Sequence, residues 1–547
     1  EGKISKAVVG INADMDIEGR SREVIGSSGK AEIVFLELVL KGRQKPVREF
    51  PISAVYQAEL DYAGKRLTLG EAKVEAAGIP VVLKGTMNYG GPLSYKLEVN
   101  AESANLAGVQ KTAEGLLPQG VGIDGVLSLR LTAEQKPAED SKPVFSGEAR
   151  LNNVGISLGK MKPVFSGTVT FTPKEIGFKE MKLVAGSSSA NIIGRIEDYS
   201  TTPDIRIDLK SPMLDIDRIM LPLPGRGEAG THASSGVNQV KEEKEIGPLK
   251  TKMRAEGDVD IAKMLYKGVN VVNIKAHYIF HSNVLTVSPV SGGTLSGNFN
   301  ARSTLDLSKK GAAYTLHAET NGIRLEEITA AFAPKAKETL FGSLSARADI
   351  SGAGSVSQTI KRNLKGKGIF SVRDGKIRNA RISEGLLALL GLQNLKEIPI
   401  EKAGGTFTVS GGLINLNSVI ESKDLSLDET GTIGMDQKLN MNILVKVSDR
   451  LSPALLNQSG LSQFLSEEKG WTAVPLKLGG TITNPSYAVD TRAIGKRATQ
   501  TIKKKAGEEI FKALSGEQQK KSPAEQPAGA QEKKSASPEN LLKQLFK

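Results

Sequence analysis

Several short stretches carry residue types whose spacing could do chemistry. His277-Tyr-Ile-Phe-His281 has the i, i+4 interval that sets two imidazoles side by side on a helix for one metal ion. The surrounding residues read as a strand that ends in a Ser282-Asn283 turn. On a strand, four steps of ~3.3 Å would part the two rings by about 13 Å, too far to share an ion. Asp14-Met-Asp16-Ile-Glu18-Gly19 imitates the start of a calcium loop, but its twelfth position is Ile25, not the bidentate carboxylate such loops need. Gly352-Ala-Gly354-Ser-Val-Ser357 resembles a dinucleotide turn with Ser in place of the third Gly and no βαβ unit around it, so a hairpin connection is expected there. No Gly-Lys pair is followed by Ser or Thr, which leaves no phosphate-binding loop of the Walker type. The chain has no Cys, which removes thiolate metal sites, iron–sulfur clusters, disulfides and cysteine nucleophiles together. No catalytic residue, metal site or cofactor is nominated, and the expectation is a non-enzymatic protein.

The elements that would position any such group are mostly strands. Three runs show the pattern: Tyr95-Lys-Leu97-Glu-Val99-Asn100, Ile205-Arg-Ile207-Asp-Leu209-Lys210, and Leu439-Asn-Met441-Asn-Ile443-Leu-Val445-Lys-Val447. Apolar and polar residues alternate, which puts every apolar side chain on one face. One-sided alternation belongs to antiparallel sheets with one wet face. Turn residues such as Gly90-Gly91-Pro92, Asn283 and Asp374-Gly375 separate the runs. Helical spacing is confined to Ala107–Leu117, Arg324–Phe332, Ser383–Leu395, Leu451–Leu465 and Arg492–Leu514.

A degenerate repeat links the strands. Each version has an apolar pair, a Gly followed by a polar or charged residue, and a longer alternating strand; Gly85, Gly194, Gly297 and Gly431 mark equivalent places. Lys142-Pro-Val-Phe-Ser-Gly147 recurs as Lys162-Pro-Val-Phe-Ser-Gly167. Repetition of this kind predicts strands stacked in one direction.

At 547 residues the chain is long enough for about three or four domains, or one long repetitive one. A net charge of +13 is modest for that length and argues against a dedicated nucleic-acid binder. No stretch approaches the ~20 apolar residues of a membrane helix. The chain starts at Glu1 with no Met and no signal segment, which reads as the mature or truncated part of something longer.

Two accounts of the apolar face stay open. It could be the core of a β-sandwich, two sheets burying their faces against each other. Alternatively one sheet rolled into a trough would offer it to an apolar guest, and the low aromatic content (15 Phe, 9 Tyr, 1 Trp) fits this better. The expected fold is all-β: an elongated, repetitive, curved antiparallel sheet forming an open apolar groove, with a few short helices. The groove-lining candidates are Leu97, Val99, Ile205, Ile207, Leu209, Leu285, Val287, Leu305, Leu307, Leu316, Leu439, Met441, Ile443 and Val445.

The expected organisation is groove repeats over 1–221, a mobile excursion over 222–247 and further groove repeats over 248–490. A basic amphipathic helix over 491–515, a disordered tether over 516–536 and a short amphipathic helix over 537–547 follow. Along the basic helix, Ile494, Ile502 and Ile510 fall on an apolar stripe flanked by Arg497, Lys503 and Lys504. Either these residues meet an anionic membrane or a partner, or the helix plugs the sheet end with its lysines solvated. Leu541 and Phe546 of the last helix are candidates for the same contact.

The residues from about 250 onward resemble the C-terminal region of the AsmA family. The likeness is carried by Leu364-Lys-Gly-Lys-Gly368-Ile-Phe370, Asp374-Gly375-Lys-Ile377, Gly404-Gly-Thr406-Phe407, Gly431-Thr-Ile433-Gly434-Met-Asp436 and Val474-Pro475-Leu476-Lys-Leu478-Gly-Gly480-Thr-Ile482-Thr-Asn484-Pro485. Phe165–Leu221 looks like an upstream unit of the same family. The resemblance implies a periplasmic body of the Gram-negative envelope, anchored by an inner-membrane helix that this sequence lacks. It also implies an elongated β-groove associated with phospholipid movement and outer-membrane biogenesis. With about 25–30 strands at ~4.8 Å, such a groove would run on the order of 120–145 Å. The partners implied are phospholipid, a membrane surface and envelope proteins, with no nucleic acid. The alternative is a periplasmic scaffold that influences outer-membrane protein assembly, or protein targeting to membrane, through protein contacts.

Overall fold

The structure is a computed structural model. It describes residues 4–40, 47–48, 52–76, 78–108, 121–138, 142–158, 162–219, 244–332, 337–378, 397–451, 470–482, 484–497 and 499–500. The chain divides into two units, each all-β, repetitive and curved, with an open sheet that does not close into a barrel. Unit 1 comprises Glu1–Glu242, Pro248–Gly293 and Thr304–Ser308; unit 2 comprises Glu243–Gly247, Thr294–Ser303 and Lys309–Lys547.

In unit 1 the strands are β1 (Ile4–Gly19), β2 (Val24–Leu40), β3 (Val47–Arg48), β4 (Ile52–Asp61), β5 (Arg66–Ala76), β6 (Ile79–Asn88), β7 (Ser94–Asn105) and β8 (Val121–Gln135). They continue as β9 (Val144–Leu158), β10 (Val164–Phe171), β11 (Glu175–Ala185), β12 (Ser188–Glu197), β13 (Asp204–Asp215), β14 (Arg254–Tyr266), β15 (Val269–His281) and β16 (Val284–Thr294). From β4 to β13 each strand pairs antiparallel with the next, as short turns require. β13 and β14 depart from the expected antiparallel order: they run parallel, with Asp204 opposite Arg254 and Leu214 opposite Met264. A parallel pair needs a connection of a dozen or more residues, and the stretch between Asp215 and Arg254, which opens with helix α1 (Ile216–Ile219), supplies it.

Bulges recur through this sheet. Register shifts occur in every neighbouring pair from β4 to β13 except β6–β7, for example between Ala101 and Ala104 and between Phe178 and Met181. Each bulge bends its strand and adds twist, so a row of them curves the sheet.

The glycines of the sequence repeat act at close range. A Cβ on Gly85, Gly194, Gly297 or Gly431 would meet the carbonyl oxygen of Lys96, Arg206, Asn321 or Asn440 respectively, each closer than 3.0 Å. The neighbouring backbone occupies the place of a side chain. Gly194→Ala should therefore destabilise unit 1 by about 1–3 kcal/mol, while Gly91→Ala, with nothing within 4 Å, should stay within ~0.5 kcal/mol of the parent. Urea unfolding followed by circular dichroism checks both.

Unit 2 holds β18 (Ala313–Arg324), β19 (Leu340–Ala353), β20 (Lys365–Arg378), β21 (Glu397–Ser410), β22 (Leu413–Glu421), β23 (Leu425–Gly434), β24 (Leu439–Val447), β25 (Thr472–Thr481) and β26 (Asn484–Val489). Each pairs antiparallel with its successor. Helix α2 (Leu325–Phe332) falls where helical spacing predicted it. Residues 354–364 connect β19 to its antiparallel partner β20, where a hairpin connection was expected, and helix α3 (Ser357–Asn363) lies within that connection. Its only apolar residue is Ile360, too few for a periodic signal, and polar bonds hold its start. Glu245 accepts hydrogen bonds from Ser355 N–H and Oγ at 2.6 Å and from the Thr359 hydroxyl, which hold its carboxyl down at about 2.

Candidate functional site

The register carries the apolar alternation from strand to strand on one face of unit 1. Leu69 lies opposite Gly85, which lies opposite Leu97; Leu83 lies opposite Val99, which lies opposite Leu131. Leu129 then meets Ala149, Val169 and Phe178 in turn, and Phe171, Ile176, Ile196 and Ile205 form a second row. The face continues through Ala255 and Val259 to Phe280 and Ala276 of β15. It runs back through Tyr56 and Gly29 to Met15 of β1. At each bulge the apolar spacing lengthens from two residues to three, so Ala104 and Met181 stay on the same side as Ala101 and Phe178. The alternation and the bulges together keep the face continuous.

This face has no packed second layer among the described residues of unit 1. Ile11, Met15 and Ile17 on β1 are 63%, 55% and 66% exposed. Leu97, Val99, Ile205, Ile207 and Leu209 are half-buried, as are Leu285 and Val287 of β16. Leu305 of β17 (Gly297–Asp306) and Leu307, whose N–H donates to Asn283 O at 2.9 Å, are half-buried as well. Contiguous accessible apolar area on this scale marks a surface that takes a ligand or partner.

The opposite face of unit 1 is charged and internally paired. Lys84 and Lys73 flank Glu71 at 3.1 and 3.4 Å, and their hydrogen bonds, Lys84 first, hold its carboxyl below the usual range. Arg150–Glu148 (2.7 Å), Arg195–Glu197 (2.8 Å) and Arg206–Glu256 (3.3 Å) continue the pattern on neighbouring strands. Solvated pairs of this kind add little stability but keep the face wet.

Unit 2 is built differently towards its C-terminal strands. Ile398, Leu425, Leu427, Met441, Ile443, Val445, Val447, Val474, Leu476 and Leu478 form a closed cluster, with Val445 and Val447 at 0% exposure. Three groove candidates, Met441, Ile443 and Val445, are thus core residues with no surface to offer, and Leu439 packs half-buried against them. Leu316 of β18, by contrast, is 36% exposed. Ile494, on the apolar stripe for which membrane contact and plugging of the sheet end were both open, is buried at 3% within a helical segment, 491–497, while Arg497 is half-buried. Ile502, Lys503, Lys504, Ile510, Leu541 and Phe546 lie outside the described residues.

The chemical motifs resolve into strand positions. His277 sits on β15 with Nδ1 2.9 Å from Asp258 Oδ1, on the charged face, and His281 ends the same strand. Asp14, Asp16 and Glu18 share one face of β1, opposite Lys30, Ser28 and Gly26. No nucleophile elbow is expected in the sequence, yet Gly155-Ile-Ser157-Leu-Gly159 has the Gly-x-Ser-x-Gly spacing of one. Such an elbow needs a strand-to-helix turn, whereas Ser157 lies inside β9 opposite Gly122 and the next element is β10. Among the described residues no group of three or more His, Asp or Glu could hold a metal ion, and no helix is long and apolar enough to cross a membrane. One local signal in the sequence stands outside these candidates: Glu429 occupies an apolar phase of the alternation in β23.

Against known proteins, the model of the AsmA family matches residues 150–419. The match takes in Leu364–Ile377 and Gly404–Phe407 and ends before Gly431–Asp436 and Val474–Pro485. No curated protein and no solved structure matches the chain.

Proposed function

This chain belongs to the AsmA family over residues 150–419, and on that premise we propose that it is a non-enzymatic carrier of phospholipid in the bacterial envelope. Family membership suggests an envelope-associated, lipid-transport-like role. The observation that carries the finer reading is the continuous, one-layer apolar face from β1 to β15, backed by a paired, charged face. An acyl chain laid on it removes water from both surfaces, at ~0.8 kcal/mol for each methylene buried. The headgroup stays in solvent, so the site needs neither a catalytic residue nor a cofactor. In this reading acyl chains bind the accessible faces, not the closed core of β21–β26. The protein works in the periplasm between the two membranes, and contact with a membrane surface supplies and receives the lipid.

A second reading, a scaffold acting through protein contacts, finds its support in that closed core, which resembles an ordinary folded module. Purification without detergent followed by mass spectrometry of extracted lipid decides between them. Co-purifying phospholipid is expected; a lipid-free protein with intact strand content would overturn the carrier reading.

A further inference from the structure

Among the described residues, the apolar face of β22–β26 contains one carboxyl among aliphatic neighbours. Along β23, Leu425, Leu427, Glu429 and Gly431 point the same way, and the register sets Glu429 opposite Ser418 of β22 and Ile443 of β24. Leu427 and Ile443 are 4% and 5% exposed and belong to the closed cluster. Ser418, itself buried, donates from Oγ to Glu429 Oε2 at 2.8 Å. Among the described residues no Lys, Arg or His pairs with Glu429.

Among the described residues, the strands paired around it bring no other charge to this side. β22 presents Ser418, β24 presents Met441 and Ile443, β25 presents Leu476 and Leu478, and β26 presents Tyr487. Burial, together with the nearby Glu429 charge, pushes the Tyr487 hydroxyl above its ordinary value, so it stays neutral across physiological pH. A carboxylate on this half-buried residue would be a partly desolvated charge with one hydroxyl donor and, among the described residues, no counter-ion, which is costly; the neutral acid is not.

We propose that Glu429 latches the closed core of β22–β26 as a neutral acid and that its ionisation loosens the core. Burial raises the carboxyl above its usual range, and the Ser418 hydrogen bond offsets part of that rise. A group whose pKa is raised in the closed form stabilises that form fully below its ordinary value. The stabilisation is lost as pH climbs through the raised value. Loosening would free Met441, Ile443 and Val445 as additional apolar surface; that consequence rests on the carrier reading, whereas the latch itself does not.

The chain contains its own reporter. Trp471 is its only tryptophan and directly precedes buried Thr472 at the start of β25. Its emission in the full chain should shift to the red between about pH 5 and about pH 9, a window above ordinary carboxyls and below ordinary phenols and lysines. Glu429→Gln should abolish the shift. Ser418→Ala should move its midpoint to higher pH, because a bond favouring the carboxylate is gone. A wild-type chain without the shift, a Glu429→Gln chain that keeps it, or an unmoved Ser418→Ala midpoint would overturn the latch. If Glu429→Gln fails to fold, the Ser418→Ala midpoint decides alone. Binding of a pyrene-labelled phospholipid separates the two ideas. A Trp471 transition with no lipid bound at any pH strikes the carrier reading only, and bound lipid without the transition strikes the latch only.

Discussion

Leu476→Ala should destabilise unit 2 by about 2–5 kcal/mol, whereas Leu97→Ala in unit 1 should cost roughly 1 kcal/mol. Both residues are leucines in alternating strands, yet they differ in what covers them. Leu476 is 1% exposed inside the closed cluster, between Ile443 on β24 and Val489 on β26. Truncating it deletes methyl groups and leaves a cavity that neighbours on fixed strands fill only partly. Leu97 is half-buried on a face with no second layer, so solvent or a ligand fills the space and no cavity term arises. Denaturant titration followed by circular dichroism, which reports the strands of both units, should show the first loss as a lower midpoint and leave the Leu97→Ala midpoint near the parent. Equal losses would mean that unit 1 buries its apolar face as unit 2 does, and the open-face account would fail.

That contrast also marks how far the sequence could be read. Alternation at Leu97–Val99 and Ile205–Leu209 is a local property, and the strands pair so that these residues share a face. Gly85 and Gly194 were visible as repeat marks because the close backbone approach excludes any side chain there. The bulges were harder to see. Ala101 to Ala104 and Phe178 to Met181 break a period of two, so the alternating runs end early, although the strands continue.

The parallel pairing of β13 with β14 depends on a long connection rather than on local pattern. Helix α3 depends on Glu245, more than a hundred residues away from Thr359 in sequence. Ile207 and Ile443 read identically, yet one is half-buried and the other is core. Periodicity tells which way a side chain points; only the fold tells what stands opposite. Glu429 is the converse case, a local anomaly that was plain in the alternation and acquires meaning only from the enclosed cluster around it.

Val99→Asp combined with Ile207→Asp should cut phospholipid capture by unit 1 at least ~100-fold without unfolding it. Both residues sit on the continuous face, half-buried, on β7 and β13. An acyl chain crossing either position would have to desolvate a carboxylate with no partner, at a cost of several kcal/mol. Each 1.4 kcal/mol is tenfold in affinity, so two such sites suffice for the stated loss. In the free protein the new carboxylates can hydrate on a face that has no second layer, which is why the fold should survive. The same change at Ile443 would test folding alone, because that side chain is 5% exposed in a closed core. Lys96→Asp with Lys210→Asp is the matched control: the same strands, the same new residues, three positions along and on the charged face. Transfer of labelled phospholipid between donor and acceptor vesicles should remain at the parental rate for the control and fall to the spontaneous rate for the inward pair. Parental transfer by the inward pair, with parental circular dichroism, would show that the lipid does not travel on this face.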